Sequence, residues 1–333
     1  MTATERRPRI TYVLPVYNEA RGIDEFFTRL SATTTELEPR YDVRFLFVDD
    51  GSRDGSLEHL IGFRARDPRV SVLSFSRNFG HQIAVTAGLD HADGDAVIVM
   101  DTDLQDPPPV SLELVQRWEA GADVVYAQRR SRKDTLFKRA TAHAFYALLS
   151  RLASIEIPRD TGDFRLLDQR VVHELRRYRE HHRFLRGLVS YVGFRQEAVL
   201  FDRDARHAGV SGYPLRRMLR LATDGVFGFS TTPLLLISRL GFILSGFSFL
   251  GVLYAVGVRV FAPREAVPGW AFVTVAMCML GGIQLIMLGV LGSYVGRTYV
   301  EVQNRPLYTV AMALDDPLRP ASSTRARETD APS

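Results

Sequence analysis

The chain has one cysteine, Cys278, in 333 residues, which excludes an intrachain disulfide framework and a cysteine-built metal site. Cys278 sits in an apolar stretch, where packing is its expected role. Neither G-x-G-x-x-G nor G-x-x-x-x-G-K-[ST] occurs, which argues against dinucleotide oxidoreductases and P-loop enzymes. There is no internal repeat. No basic stripe with interleaved aromatics is present, and the formal net charge is only +4, so nucleic acid is not an expected partner; an anionic lipid surface suits the arginines better. Met1–Arg9 is polar and Arg-rich rather than a basic, apolar, small-residue leader, and the amino-terminal part is therefore expected in the cytoplasm.

Charge itself is scarce in one place. Leu234–Val295 is almost uncharged, whereas the first two thirds alternate short apolar runs with charged stretches. Within that segment Leu240–Val258 and Trp270–Gly292 lack charge and reach the ~20 residues needed to cross a bilayer. The short Arg259–Gly269 between them makes a hairpin. Arg216, Arg217, Arg220 and Arg239 before it and Arg297 and Arg305 after it outnumber Arg259 and Arg264 in the loop, which puts both ends in the cytoplasm. Upstream, Pro214–Phe229 has apolar residues at roughly helical spacing among arginines and suits either an interfacial helix or a surface helix. After Val310 the composition turns to Ala, Ser, Thr, Pro and charges, and a disordered tail is expected. The division is thus 1–213 cytoplasmic catalytic domain, 214–233 juxtamembrane segment, 234–297 two transmembrane helices, and 298–333 cytoplasmic tail.

The first 128 residues alternate strand and helix patterns. Ile10–Leu14, Arg44–Val48, Val70–Phe75, Ala96–Met100 and Asp123–Tyr126 are short and rich in Val, Ile, Phe and Tyr; Glu19–Leu30, Ser56–Arg66, His81–His91 and Pro108–Glu119 are amphipathic and of helical length. That order predicts an α/β fold with a mostly parallel sheet, whose ligands bind at the carboxyl ends of the strands. Val171–Tyr178 reads as a helix and Gln196–Phe201 as a strand of an acceptor half.

At one such end stands Asp101-Thr102-Asp103-Leu104-Gln105-Asp106-Pro107. A carboxylate pair after an apolar strand suits Mg²⁺ or Mn²⁺, although an Asp-x-Asp by itself is more often turn chemistry. Two further loops, Val13-Leu14-Pro15-Val16-Tyr17-Asn18-Glu19 and Phe47-Val48-Asp49-Asp50-Gly51-Ser52-Arg53-Asp54-Gly55-Ser56, bring more acids to the same edge of the sheet. The histidines His81, His173, His181 and His182 show no ligand spacing and read as surface or packing residues.

Taken in order, VLPVYNEA, FVDDGSRDGS, NFGHQIAVTAGLDHADGD and VMDTDLQDPP resemble family 2 glycosyltransferases of the GT-A fold. GDFRLLD, RFLRGLVSYVGF and the two-span carboxyl end resemble more narrowly the bacterial polyprenyl-phosphate glycosyltransferases, related to dolichyl-phosphate mannose synthase. The resemblance implies that Pro15, Tyr17, Glu19 and Asp49 or Asp50 hold base and ribose, with Arg77 and Asn78 nearby. Asp101, Asp103 and Gln105 would hold metal and diphosphate. Asp163, in Gly162-Asp163-Phe164-Arg165, is the family's candidate base, and Arg129, Arg165, Arg206 and Ser211 match acceptor-phosphate positions. One departure is Arg206-His207-Ala208-Gly209-Val210-Ser211-Gly212-Tyr213, where many relatives have Ser-Lys-Tyr; either Arg216 or Arg217 replaces that lysine, or the acceptor grip differs. An acceptor phosphomonoester carries about −1.5 to −2 charges and needs little deprotonation, so Asp163 suits an orienting role as well as it suits a base.

The reading is a metal-dependent, inverting transfer of a hexose, glucose from UDP-glucose first, to undecaprenyl or a related polyprenyl phosphate. GDP-mannose, UDP-GlcNAc, UDP-galactose or a modified UDP-pentose are alternative donors. A processive polysaccharide synthase would add a Gln-x-x-Arg-Trp motif, which is absent, and a non-catalytic scaffold would have lost Asp101, Asp103 and Gln105. Gly281-Gly282, Gly289 and Gly292 allow helix packing in a homo-oligomer; a tetramer is implied by resemblance only.

Overall fold

The computed structural model describes residues 6–130, 161–181, 183–201, 232–261 and 269–314. Two compact units result. In the first, eight described strands form one sheet in the order β7-β5-β6-β4-β1-β2-β3-β8: β1 Arg9–Val16, β2 Asp42–Asp49, β3 Val70–Phe75, β4 Ala96–Val99, β5 Val124–Arg129, β6 Thr161–Asp168, β7 Gln196–Phe201 and β8 Val310–Leu314. Strands β4, β1, β2 and β3 run parallel. Tyr12, Leu14, Phe45, Phe47 and Ile98 are fully buried among them, as strands covered on both faces must be. The expected mostly parallel GT-A-type sheet is present, with β6 antiparallel to β4 and β5 and with β8 antiparallel to β3.

The helices follow apolar spacing. In α1 (Ile23–Thr34) the buried residues are Ile23, Phe26, Leu30 and Thr34, one stripe at intervals of three and four. Next come α2 (Ser56–Arg66), α3 (His81–His91), α4 (Val110–Glu119), α5 (Gln169–Arg177) and α6 (Leu185–Tyr191). Helix α3 lies close on β1 because residue 88 is glycine: a Cβ there would stand 2.1 Å from Val13 Cγ1. Gly51, at φ +68°, turns the loop after β2 so near the next loop that a Cβ would meet the Arg77 carbonyl carbon at 2.6 Å, a place only glycine fits.

Strand β8 corrects the expectation of a structureless tail from Val310. Val310–Leu314 pairs with the edge of β3, Tyr308 stacks on Phe75 with ring centroids 5.2 Å apart, and its hydroxyl donates to Asp90 Oδ2 at 3.0 Å. The strand is short, Val310-Ala311-Met312-Ala313-Leu314, and gains its place by covering an edge.

The second unit holds α7 (Thr232–Phe261) and α8 (Trp270–Val302). Both are long and apolar enough to cross a membrane, and both extend past the spans read from the sequence. They pack on each other, yet Phe242, Phe247, Leu285 and Ile286 stay largely exposed, an apolar surface suited to lipid. The 214–229 segment lies outside the described residues.

Candidate active site

The carboxyl ends of β1, β2 and β4 adjoin because these strands are parallel neighbours. Loops β1 and β2 are stitched together: Ser52 Oγ accepts from the Asn18 amide at 3.0 Å, Asn18 Oδ1 accepts from the Arg53 amide at 2.9 Å, and Asp54 Oδ2 accepts from the Ala20 amide at 3.0 Å. Glu19 is fixed through its amide on Ser56 Oγ at 2.9 Å. Pro15 is buried and its carbonyl accepts from Thr102 Oγ1 at 2.9 Å, joining the β1 loop to the acidic loop. Tyr17 is 47 % exposed, an open ring surface of the kind a base can stack on.

Asp49 and Asp50 are engaged by the protein itself. Asp49 accepts from the Ser52 amide at 3.0 Å and Ser74 Oγ at 2.7 Å. Asp50 accepts from the Phe79 and Gly80 amides at 2.7 and 2.9 Å and from Asn78 Nδ2 at 3.0 Å. Burial pushes the Asp50 carboxyl up, and the two amide hydrogen bonds work against that. Asn78 is thus a loop brace, and Arg77 is exposed with its guanidinium 3.9 Å from the Phe79 ring centroid.

After β4, Leu104 takes a left-handed φ of +62°; a non-glycine residue held there stores strain of the kind that collects at functional loops. Gln105 is buried, its amide N–H donating to Asp103 Oδ1 at 3.1 Å and its Nε2 to Asp103 Oδ2 at 2.6 Å, so it sets the direction of Asp103. Asp101 Oδ1 is buried and has no hydrogen-bond partner among the described residues. Burial raises the Asp101 carboxyl, and the neighbouring charges of Asp163 and Asp103 add to the rise. The charge of His81, 3.5 Å from Oδ1, opposes that rise; a buried carboxylate oxygen with no hydrogen bond, beside a second carboxylate, fits a hard divalent cation. Among the described residues no group of three or more His, Cys, Asp or Glu is placed so that it could hold a metal ion by itself, so phosphate oxygens and water would complete the shell, as is usual for Mg²⁺.

Because β6 runs against β4, pairing Arg165 with Val99, its first residues arrive at the same carboxyl edge. That places Asp163 beside Asp101. His81, the first residue of α3, stands between them, with Nε2 3.0 Å from Asp163 Oδ2 and 3.5 Å from Asp101 Oδ1. Arg186 Nε from α6 donates to Asp163 Oδ1 at 2.8 Å, and Gln82 Nε2 to Oδ2 at 3.2 Å. Burial alone would raise the Asp163 carboxyl; the His81 hydrogen bond, the Arg186 charge and hydrogen bond, and Arg165 hold it far below the usual range. Arg165 is 4 % exposed, and burial lowers it to about 10 despite the charge of Asp163. It lies behind Asp163 rather than on the face of the site, with Nη2 on the Gly162 carbonyl at 2.9 Å. Arg129 ends β5 with only its backbone described, and Arg206 and Ser211 lie outside the described residues.

His81 corrects its reading as a surface or packing residue, and Arg186 and Gln82 were not singled out at all. Burial works against the imidazolium, but the Asp163 hydrogen bond and the charges of Asp101 and Asp163 hold His81 up to about 9. A folded pKa above the ordinary 6.5 means that its stabilisation is fully present below about pH 6.5 and is lost as pH rises through about 9. The melting-temperature difference between the metal-free protein and His81→Gln should therefore shrink between those pH values; a difference that ignores pH would remove the charge from His81.

Residues 11–176 match the glycosyl transferase family 2 description. The chain is 47% identical to the uncharacterized glycosyltransferase YkcC of Bacillus subtilis (strain 168), over 92% of this chain and 94% of that one. It is 40% identical to the bactoprenol glucosyl transferase of Shigella phage SfII, over 91% of this chain and 97% of that one. Among solved structures, the mannosyltransferase PcManGT from Pyrobaculum calidifontis in complex with GDP-Man and Mn2+ aligns over 89% of this chain and 87% of that one at 16% identity and a TM-score of 0.48, a likeness too distant to build on.

Proposed function

Since the chain belongs to glycosyl transferase family 2, we propose that it transfers glucose from UDP-glucose to undecaprenyl or a related polyprenyl phosphate, with inversion, at the cytoplasmic face of a bacterial membrane. The observation that carries this reading is the convergence of Asp101, Asp103 and Asp163 at one strand edge, with His81 bridging Asp101 and Asp163. The printed name of the 40% identical phage relative supports bactoprenol as the acceptor and glucose as the sugar.

In this reading the base and ribose lie against Pro15, Tyr17, Glu19 and the loop braced by Asp49, Asp50 and Asn78, with Arg77 beside it. Asp101 and Asp103 would hold Mg²⁺ or Mn²⁺ for the diphosphate, and Gln105 orients Asp103. When bound, the ion supplies positive charge to the departing nucleoside diphosphate. An acceptor phosphate oxygen attacks the anomeric carbon as the bond to the diphosphate breaks, so no proton need be removed from a phosphomonoester already ionised. Arg129, Arg206 and Ser211 remain proposed acceptor contacts.

Residues 1–213 would form the cytoplasmic catalytic domain, α7 and α8 the membrane hairpin, and the remainder a cytoplasmic end. The length and apolar composition of the two helices support membrane attachment, and the arginine bias supports the orientation. Small residues along the second helix support packing into a homo-oligomer, with a tetramer as the candidate state.

Donor choice is tested by calorimetric titration of the purified full chain with UDP-glucose, UDP-galactose, UDP-GlcNAc and GDP-mannose, with Mn²⁺ and with EDTA. Tightest binding of UDP-glucose, lost on chelation, is expected; binding of every nucleotide sugar unaffected by EDTA would reject the metal-held diphosphate.

A further inference from the structure

Only residues 303–305 separate α8 from Pro306 in the chain, and from Pro306 onward the chain belongs with the sheet. Strand β8 pairs with the carboxyl end of β3, Met312 against Ser74 and Val310 against Phe75, and the Ser76 amide donates to the Thr309 carbonyl at 3.0 Å. Both ends of that pairing lead to the acidic loops. Ser74 is the residue whose hydroxyl holds Asp49, and Ser76 opens the loop whose Asn78, Phe79 and Gly80 hold Asp50.

Tyr308 grips two elements at once. Its ring stacks on Phe75, with centroids 5.2 Å apart and 20° between the planes, and Phe75 meets Phe79 edge-on at 5.5 Å. Phe79 in turn gives its amide to Asp50 and carries the Arg77 guanidinium over its ring. The Tyr308 hydroxyl donates to Asp90 in the last turn of α3, where Arg179 Nη1 reaches both Asp90 oxygens at 2.7 and 2.8 Å. Burial and the Asp90 charge raise the Tyr308 hydroxyl, which keeps it a donor at working pH.

Ser76, Arg77 and Asn78 are exposed, so this loop has little core of its own. Asp50 holds it on one side, and the stack of Tyr308 on Phe75 holds Phe79 on the other. Covering the free edge of β3 would need only the ladder; it would not need a ring stacked on the residue that supports Phe79. A loop fixed before its ligand arrives loses less freedom on binding, which strengthens binding.

We propose that the strap formed by residues 306–314 is a positioning element for donor binding, with Tyr308 the residue that sets Arg77, Asn78 and Phe79 for the nucleotide. The proposal rests on the reading above that base and ribose lie against the loop braced by Asp49, Asp50 and Asn78. Tyr308 acts through Phe75 and Phe79 rather than on the substrate.

The test titrates the full chain in detergent with UDP and Mn²⁺, with farnesyl phosphate as an acceptor-side control, and records melting temperatures alongside. Tyr308→Leu keeps an apolar side chain but loses the stack and the hydroxyl; it should weaken UDP binding about threefold to tenfold, the size of one aromatic pair. Tyr308→Phe keeps the ring and loses only the Asp90 bond, so it should recover most of the UDP affinity while its melting temperature stays lowered. Farnesyl phosphate binding should be alike in all three proteins. Phe79→Leu should also weaken UDP binding, and adding Tyr308→Leu to it should cost less than in the wild-type background. Unchanged UDP affinity in Tyr308→Leu, equal loss of UDP and farnesyl phosphate binding, UDP affinity that follows melting temperature in both Tyr308 variants, or full additivity with Phe79→Leu would each overturn the proposal and leave the strap an edge cover. A wild-type chain that binds no UDP with Mn²⁺ would sink the nucleotide reading and the proposal with it.

Discussion

Asp103→Ala is expected to lower sugar transfer by about a hundredfold to a thousandfold or more and to abolish Mn²⁺-dependent UDP binding, while the protein stays folded. Asp103 is held by Gln105 through two hydrogen bonds within its own loop, and its loss leaves Gln105 room to rotate. Few structural contacts disappear, so the effect falls on the ligand. Asp101→Asn separates the two demands further. Burial and the nearby carboxylates raise the Asp101 pKa in the folded chain, so its ionised form destabilises the metal-free fold at every pH above both pKa values. Asp101→Asn should therefore melt at a higher temperature without metal and yet lose transfer, a trade expected of a strained functional site. A variant with full activity at either position, measured with the same donor and ion, would remove the diphosphate site from this loop.

The second large effect is expected at Asp163. Asp163→Asn leaves Arg165, Arg186 and His81 without their shared counter-charge in a buried setting, which should cost about 3–5 kcal/mol of stability. The sign follows from the depressed folded pKa: the stabilisation is present above the ordinary carboxylate range and is lost only as pH falls below it towards the folded value. At neutral pH Asp163 is ionised and surrounded by cations, a poor proton acceptor. Any acid limb in the rate profile near pH ~6 then belongs to the second ionisation of the acceptor phosphate. That limb should persist in Asp163→Asn, with activity falling chiefly through a higher KM for the lipid phosphate. Loss of the limb together with a collapse of kcat at unchanged KM would restore the general-base role.

Much of the fold was legible because its signals are local. The runs Ser56–Arg66 and His81–His91 form helices with the limits their amphipathic patterns suggest, and the apolar runs before each acidic loop are strands. Strand β6 was legible only as a motif, since Asp163 and Arg165 interrupt its apolar pattern; both are buried because they face one another inside the site. Strand β8 escaped although Val310, Met312 and Leu314 alternate with alanines, because five residues ahead of a polar tail are a short signal and their place is set by the edge they complete.

At the site, residues adjoining the acidic motifs could be named from the chain alone because three acidic loops fall at one edge of the expected sheet, where ligands of such sheets bind. His81 and Arg186 could not. They lie 82 and 23 positions from Asp163, and only the antiparallel entry of β6 brings them together. Arg165 shows the converse: its motif position suggested a substrate contact, while the structure leaves it 4 % exposed with Nη2 4.0 Å from Asp163 Oδ1. For Asp49 and Asp50, spacing could not reveal that a hydroxyl donor from β3 and amide donors from the loop after it already occupy them.

The most direct measurement supplies purified protein in detergent with undecaprenyl phosphate, Mn²⁺ and radiolabelled UDP-glucose, and follows label into the organic phase with the anomeric configuration read on the product. A lipid-linked glucose of inverted configuration, absent with EDTA and absent with undecaprenol in place of its phosphate, is the predicted result. No lipid-linked product from any nucleotide sugar, or equal labelling of undecaprenol, would contradict it.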